Sequence, residues 1–220
     1  MRKLDEWLRD HVKRTPTVPN GYAIRKNICY GIQYLEYLVA TLEQLSLSEV
    51  LLTLTYKSFI VTGISVVEGL LFHELKRRGL QRTDEWEQIS ASFTKDFQVG
   101  AELFRNEVVT WKKRAAAVDE AMQFDKILRI AEGKKVLGAT STFYARMHHL
   151  RKLRNKVHLF VTDGDLDSDW NAFQFKDFEL MKALLRELLV GPLYAPTAEQ
   201  RAYFDFLRPW QHLRVAEATT

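Results

Sequence analysis

The stretch from Ser48 to Arg78 constrains the fold more than any other part of the chain. Leu51, Leu52, Leu54, Phe59, Ile60, Ile64, Val67, Leu71 and Phe72 recur through it at helical spacing, and between Val50 and Phe72 only Lys57 and Glu68 carry charge. A strand over Leu51 to Val67 would far exceed the usual length of strands in globular proteins. The segment therefore reads as one long helix, although Thr53, Thr55 and Thr62 oppose it slightly because β-branched side chains lose rotamer freedom there. Lys76, Arg77 and Arg78 followed by Gly79 supply a helix C-terminus.

The remaining chain extends the helical pattern. A first helix is expected over Leu4 to Lys13, ending before Thr15-Pro16, with a loop from Thr15 to Gly21. A long helix follows from about Tyr22 to Leu45 and breaks at Ser46 to Ser48. Gln81 to Phe97 reads as a connector with a short helical turn, followed by helices at about Ala101 to Ala116 and Asp119 to Glu132. Thr140 or Ser141 caps a helix running to about Phe160, Thr162 to Asp165 form a polar turn, and a last core helix covers Phe175 to Val190. Thr197 can cap a short terminal helix before Pro209. The expectation is an all-α helical bundle in a single domain over 1–220. Its core spans about 22–190, with an N-terminal helix at 4–13 and an aromatic C-terminal tail at 192–220. That tail, with Tyr194, Tyr203, Phe204, Phe206, Leu207, Trp210 and Leu213, reads as packing on the bundle or on a partner.

Charge separates one segment from the rest. The chain of 220 residues has a formal net charge of +4. From Gly133 to Thr162 there are seven basic residues (Lys134, Lys135, Arg146, Arg151, Lys152, Arg154 and Lys156) and no acid. Without them 25 basic residues would face 28 acidic ones, so a slightly acidic protein carries one basic segment. Cys29 is the single cysteine, which excludes an internal disulfide and any CxxC motif. It lies in the apolar run Ile28-Cys29-Tyr30 and reads as a buried, inert thiol. The charged N-terminus lacks the apolar run of a signal peptide. The uncharged runs Ser58–Val67 and Leu188–Ala198 are too short to span a bilayer. A cytoplasmic, reducing location without membrane attachment is expected.

On a helix at about 100° per residue, Leu150, Leu153, Val157 and Phe160 share one face of the basic segment. Arg151, Arg154, Asn155 and His158 gather within about 100° of arc beside it. Guanidinium forks suit phosphate, histidine moves protons near neutral pH, and Asn155 can orient either group. Such a set can bind a phosphodiester and shift the proton of a 2′-hydroxyl without a metal. The alternative is a solvated basic helix with an incidental histidine.

Leu150 to His158, LRKLRNKVH, resembles the HEPN family, whose signature is an Arg followed by four to six residues and a His, usually with a polar residue after the Arg. Arg151 leaves six intervening residues but is followed by Lys152. Arg154 is followed by Asn155 but leaves three. Either arginine can take the motif's part. The apolar helix with its embedded Glu68 and the later amphipathic helix also follow the family's order. The resemblance implies a metal-independent endoribonuclease that leaves a 2′,3′-cyclic phosphate, acting as a homodimer on RNA. It further implies toxin–antitoxin or defence roles with an antitoxin or other protein partner, and no cofactor. His158 would activate the 2′-hydroxyl or protonate the leaving oxygen, Arg151 and Arg154 would hold phosphate, and Asn155 would position one of them. Family members without catalysis serve as RNA-, nucleotide- or protein-binding modules, and a plain helical assembly protein is the third reading.

Supporting residues follow from position. Glu68 reads equally as a buried partner of a motif-helix arginine or as a helix-edge residue. His148 borders the Arg151 face, and Lys152 and Lys156 add charge for RNA. His148, His149 and His158 lack a nearby carboxylate or thiol in sequence, and His73-Glu74 lacks the second His of HExxH, so no metal site is expected.

Overall fold

The computed structural model describes residues 2–138, 141–156, 164 and 168–210. The chain divides into two compact units, Met1–Gly79 with Gln123–Thr220, and Leu80–Met122. The first unit is helical. It contains α1 (Arg2–His11), α2 (Gly21–Gln44), α3 (Glu49–Arg77), α4 (Phe124–Gly133), α5 (Ser141–Asn155), α6 (Asp169–Ala172), α7 (Phe175–Val190) and α8 (Ala198–Arg201), then a 3₁₀ turn at Ala202–Leu207.

α3 is the axis of this unit. It packs on α2, α4, α5, α6 and α7, which is why its sequence is apolar on several faces rather than along one stripe. Phe59, Ile60, Ile64, Val67 and Leu71 are fully buried. By length and composition α3 also suffices to cross a bilayer, with mean hydropathy 1.7 over its most apolar 18 residues; the helices packed around it account for that composition. α2 buries Ile28, Ile32, Leu35, Val39 and Leu42 at spacings of three and four and leaves Tyr30, Tyr34 and Tyr37 exposed on its other side. The two helices approach closely: a Cβ at Gly31 would lie 2.7 Å from Val66 Cγ2.

α1 is fastened to α2 by Asp5, which accepts from Arg25 and Lys26 at 2.9 Å each. Cys29 is buried beneath this clasp, and burial, reinforced by the Asp5 charge, pushes its thiol up to about 11. The tail packs on the same unit. Tyr194, Phe204 and Leu207 are buried, and Trp210 stacks on Phe175 at 6.0 Å. Thr197 caps α8 through a full capping box with Gln200. Leu213 lies outside the described residues.

The second unit corrects the expected fold class: the chain is mixed α and β, not all-α. The region read as a connector and a helix at Ala101–Ala116 is instead a β-ribbon. β1 (Thr83–Phe93) pairs antiparallel with β4 (Glu107–Asp119), and β2 (Phe97–Val99) pairs with β3 (Glu102–Phe104) at the hairpin end. Gly100, at φ +65, makes the turn there. The helix expected over Asp119–Glu132 begins only at Phe124.

The ribbon imitates a helix in sequence for a physical reason. Trp86, Ile89 and Phe93 are spaced as on a helix, and Ala115-Ala116-Ala117 favours one. In the ribbon a bulge between Gln88 and Ser90 breaks the alternation. Trp86 and Phe93 are seven residues apart and would face opposite sides of a regular strand. The inserted residue brings them to the same side.

Candidate functional site

α5 carries the basic segment, and its acids come from other helices. Its apolar side is buried through Phe143, Tyr144, Met147, Leu150 and Leu153. Around that side, Arg146 reaches Glu187 of α7 at 2.9 Å, and His149 meets Asp177 of α7 at 2.8 Å. His148 lies 3.3 Å from Glu132 of α4. Arg151 lies 3.0 Å from Asp125 of α4, and Arg154 lies 3.2 Å from Glu68 of α3. Five side chains of the acid-free segment thus find carboxylates on three neighbouring helices. The charge concentrated in sequence is paired with acids from other helices in the fold.

This pattern decides where each expected site residue stands. Arg151 and Arg154 hold carboxylates on different helices, Asp125 on α4 and Glu68 on α3. Glu68 is the partner of a motif-helix arginine, Arg154, and burial outweighs that arginine's pull, so its carboxyl sits above the usual carboxylate range. The Arg151–Asp125 pair is close but poorly aligned. Among the described residues Arg151 Nε and Asp125 Oδ1 are both buried without a hydrogen-bond partner, so within them this ion pair is under-satisfied by the standard of buried polar groups. His148 is tied to α4. Lys152 and Asn155 are exposed, and Lys156 is half-buried. His158, with Val157 and Phe160, lies outside the described residues.

Two cavities in the helical unit escaped the sequence reading. One, of about 300 Å³, is lined by His11, His73, Glu74, Arg77 and Tyr194 among others. Burial lowers both histidines; at His73 it outweighs the contact to the Lys13 carbonyl at 3.3 Å, which works to raise it. Burial works to raise Glu74, but Arg77 and Arg78, at 2.8 Å and 2.6 Å, bring its carboxyl below the usual range. The Lys76–Arg78 cluster was read as a helix terminus, and two of its members clamp this carboxylate. His11 joins only because α1 folds back, which no local spacing announces. The other cavity, about 390 Å³, is lined by uncharged groups that include Tyr56, Trp170, Phe175 and Trp210. Among the described residues no group of three or more His, Cys, Asp or Glu is placed to hold a metal ion.

The β-ribbon presents the most distinct surface. Cross-strand partners share a face. Trp86 lies opposite Lys113, Gln88 opposite Trp111, Ala91 opposite Val109 and Phe93 opposite Glu107. One face therefore gathers Trp86, Trp111 and Phe93, which are 52%, 53% and 64% exposed. The other carries Glu87, Ser90, Ser92, Val108, Thr110 and Lys112, and Ile89, at the bulge between the paired residues, is 58% exposed. No family model, no curated protein and no solved structure matches this chain.

Proposed function

We propose that the chain is a non-catalytic protein-assembly module, a helical body with an inserted β-ribbon that docks protein through its aromatic face. The observation that carries this reading is the gathering of Trp86, Trp111 and Phe93 on one exposed face by the bulge at Gln88–Ser90. An isolated two-stranded ribbon is at best marginally stable in water, and an apolar face must be covered for it to persist. The internal pairing of α5 supports the same reading, because a guanidinium committed to a carboxylate must lose that partner before it holds phosphate.

A second reading keeps α5 as the site of a HEPN-type endoribonuclease. The Glu68–Arg154 pair favours it, since it sets one motif arginine beside the embedded acid of the apolar helix, and Lys152 and Asn155 remain exposed. In that reading Arg154 or Arg151 engages phosphate and His158 moves the proton. Mixed RNA incubated with the full chain in EDTA separates the two. The assembly reading expects intact RNA and no salt-sensitive binding, while the Trp86→Ser/Trp111→Ser variant loses its association with protein. Cleavage that disappears in His158→Ala, with helicity unchanged by circular dichroism, would replace the first reading with the second.

A further inference from the structure

We infer that the aromatic face of the ribbon is covered by the same face of a second copy, with the two ribbons antiparallel. The inference rests on the assembly reading and names its partner. Charge is complementary along the face. Lys113 bounds the aromatic stretch on one side and Glu107 on the other, with Val109 and Trp111 between them; beyond Lys113 the ladder resumes past a bulge at Val118 and Asp119. These two charges are six residues apart on one strand, about 20 Å at strand rise.

Sheets pack face to face at about 10 Å. A two-fold axis lying between two such faces and perpendicular to the strands, level with Thr110, reverses the second ribbon. Glu107 of each copy then meets Lys113 of the other, twice by symmetry. The same operation sets Trp86 against Phe93 of the second copy and Trp111 against its Val109. The other two-fold, parallel to the strands, sets Glu107 over Phe93 and Lys113 over Trp86 and leaves all four charges without opposite partners. Only the antiparallel arrangement satisfies charge and apolar groups together.

The size is consistent with a reversible contact. Six half-exposed rings at about 150–250 Å² each contribute on the order of 600 Å². Val109, Ala91 and the charged stems raise the total to about 1,000 Å², the low end of specific interfaces. The dimer therefore forms with rising concentration.

The test is sedimentation equilibrium of the full chain across a concentration series. Lys113→Glu sets like charges against each other at both ends, and the dimer dissociation constant is expected to rise about tenfold or more. Glu107→Lys does the same. The double variant Glu107→Lys/Lys113→Glu restores opposite pairs and is expected to return the constant to within about threefold of the parent. A full chain that stays monomeric throughout overturns the inference, as does a dimer indifferent to the single reversals or not rescued by the double one. These failures leave the ribbon as a surface for a different protein. RNA cleavage, by contrast, would remove the assembly reading itself.

Discussion

Glu179→Ala is expected to destabilise the helical unit by about 3–5 kcal/mol, the usual effect of removing one partner from a buried ion pair. The reason lies at Lys182, one turn further along α7. Its side chain is 1% exposed, and its ammonium donates to Glu179 Oε1 at 2.9 Å. The ammonium also faces the Phe178 and Trp210 rings, with centroids at 5.3 Å and 4.9 Å. Ring faces attract a cation, but they do not replace a carboxylate. Without Glu179 the ammonium is left buried without the carboxylate that pairs with it. Lys182→Met removes the charge and keeps the volume, so it is expected to change stability by less than about 1.5 kcal/mol. Glu179→Ala placed in the Lys182→Met background should then lose most of its effect. Urea unfolding of the four chains closes this cycle, and a full-sized Glu179→Ala effect in the methionine background would refute the account of Lys182.

Trp7→Ala is expected to cost about 3–5 kcal/mol as well, by leaving a cavity where the first helix meets the tail. Trp7 is buried on α1 and packs against Phe204 at 5.0 Å and Tyr194 edge-on at 5.7 Å. It therefore joins elements nearly two hundred residues apart in sequence. Among the described residues its indole nitrogen has no hydrogen-bond partner. A buried donor without a partner is a standing cost, so Trp7→Phe should cost well under half as much as Trp7→Ala. Thermal unfolding of the two variants measures the difference. Equal losses would mean that the indole nitrogen contributes more than its surroundings indicate.

The helices were legible where burial and local chemistry agree. α7 was expected and found at Phe175–Val190, because an amphipathic stripe ends at Gly191-Pro192. Thr197 was read as a cap and makes a capping box. The long apolar helix was legible because no strand could accommodate its length. The ribbon was not, because its bulge converts alternation into a three-and-four spacing that imitates a helix, and its alanines point the same way. Strand identity there comes from pairing between residues about twenty-five apart, and Trp86 facing Lys113 has no local signature.

The candidate site was half legible for a related reason. The acid-free run around LRKLRNKVH was plain in sequence, and its placement on a helix followed from the apolar stripe. That Asp125, Glu132, Glu68, Asp177 and Glu187 close around it depends on tertiary packing. Charge clustering in sequence reports only one side of such pairs. Glu68 alone hinted at the answer, as an acid embedded in an apolar helix whose burial needed a cation.

The central claim is that the aromatic face of the ribbon is a protein interface. Amide hydrogen exchange over Thr83–Asp119, followed in the full chain at low and high concentration, tests it most directly. The account predicts ladder amides between β1 and β4 that exchange slowly at high concentration and speed up on dilution, while the amides of α3 stay unchanged. Ribbon amides that exchange fast and at the same rate at every concentration would contradict it.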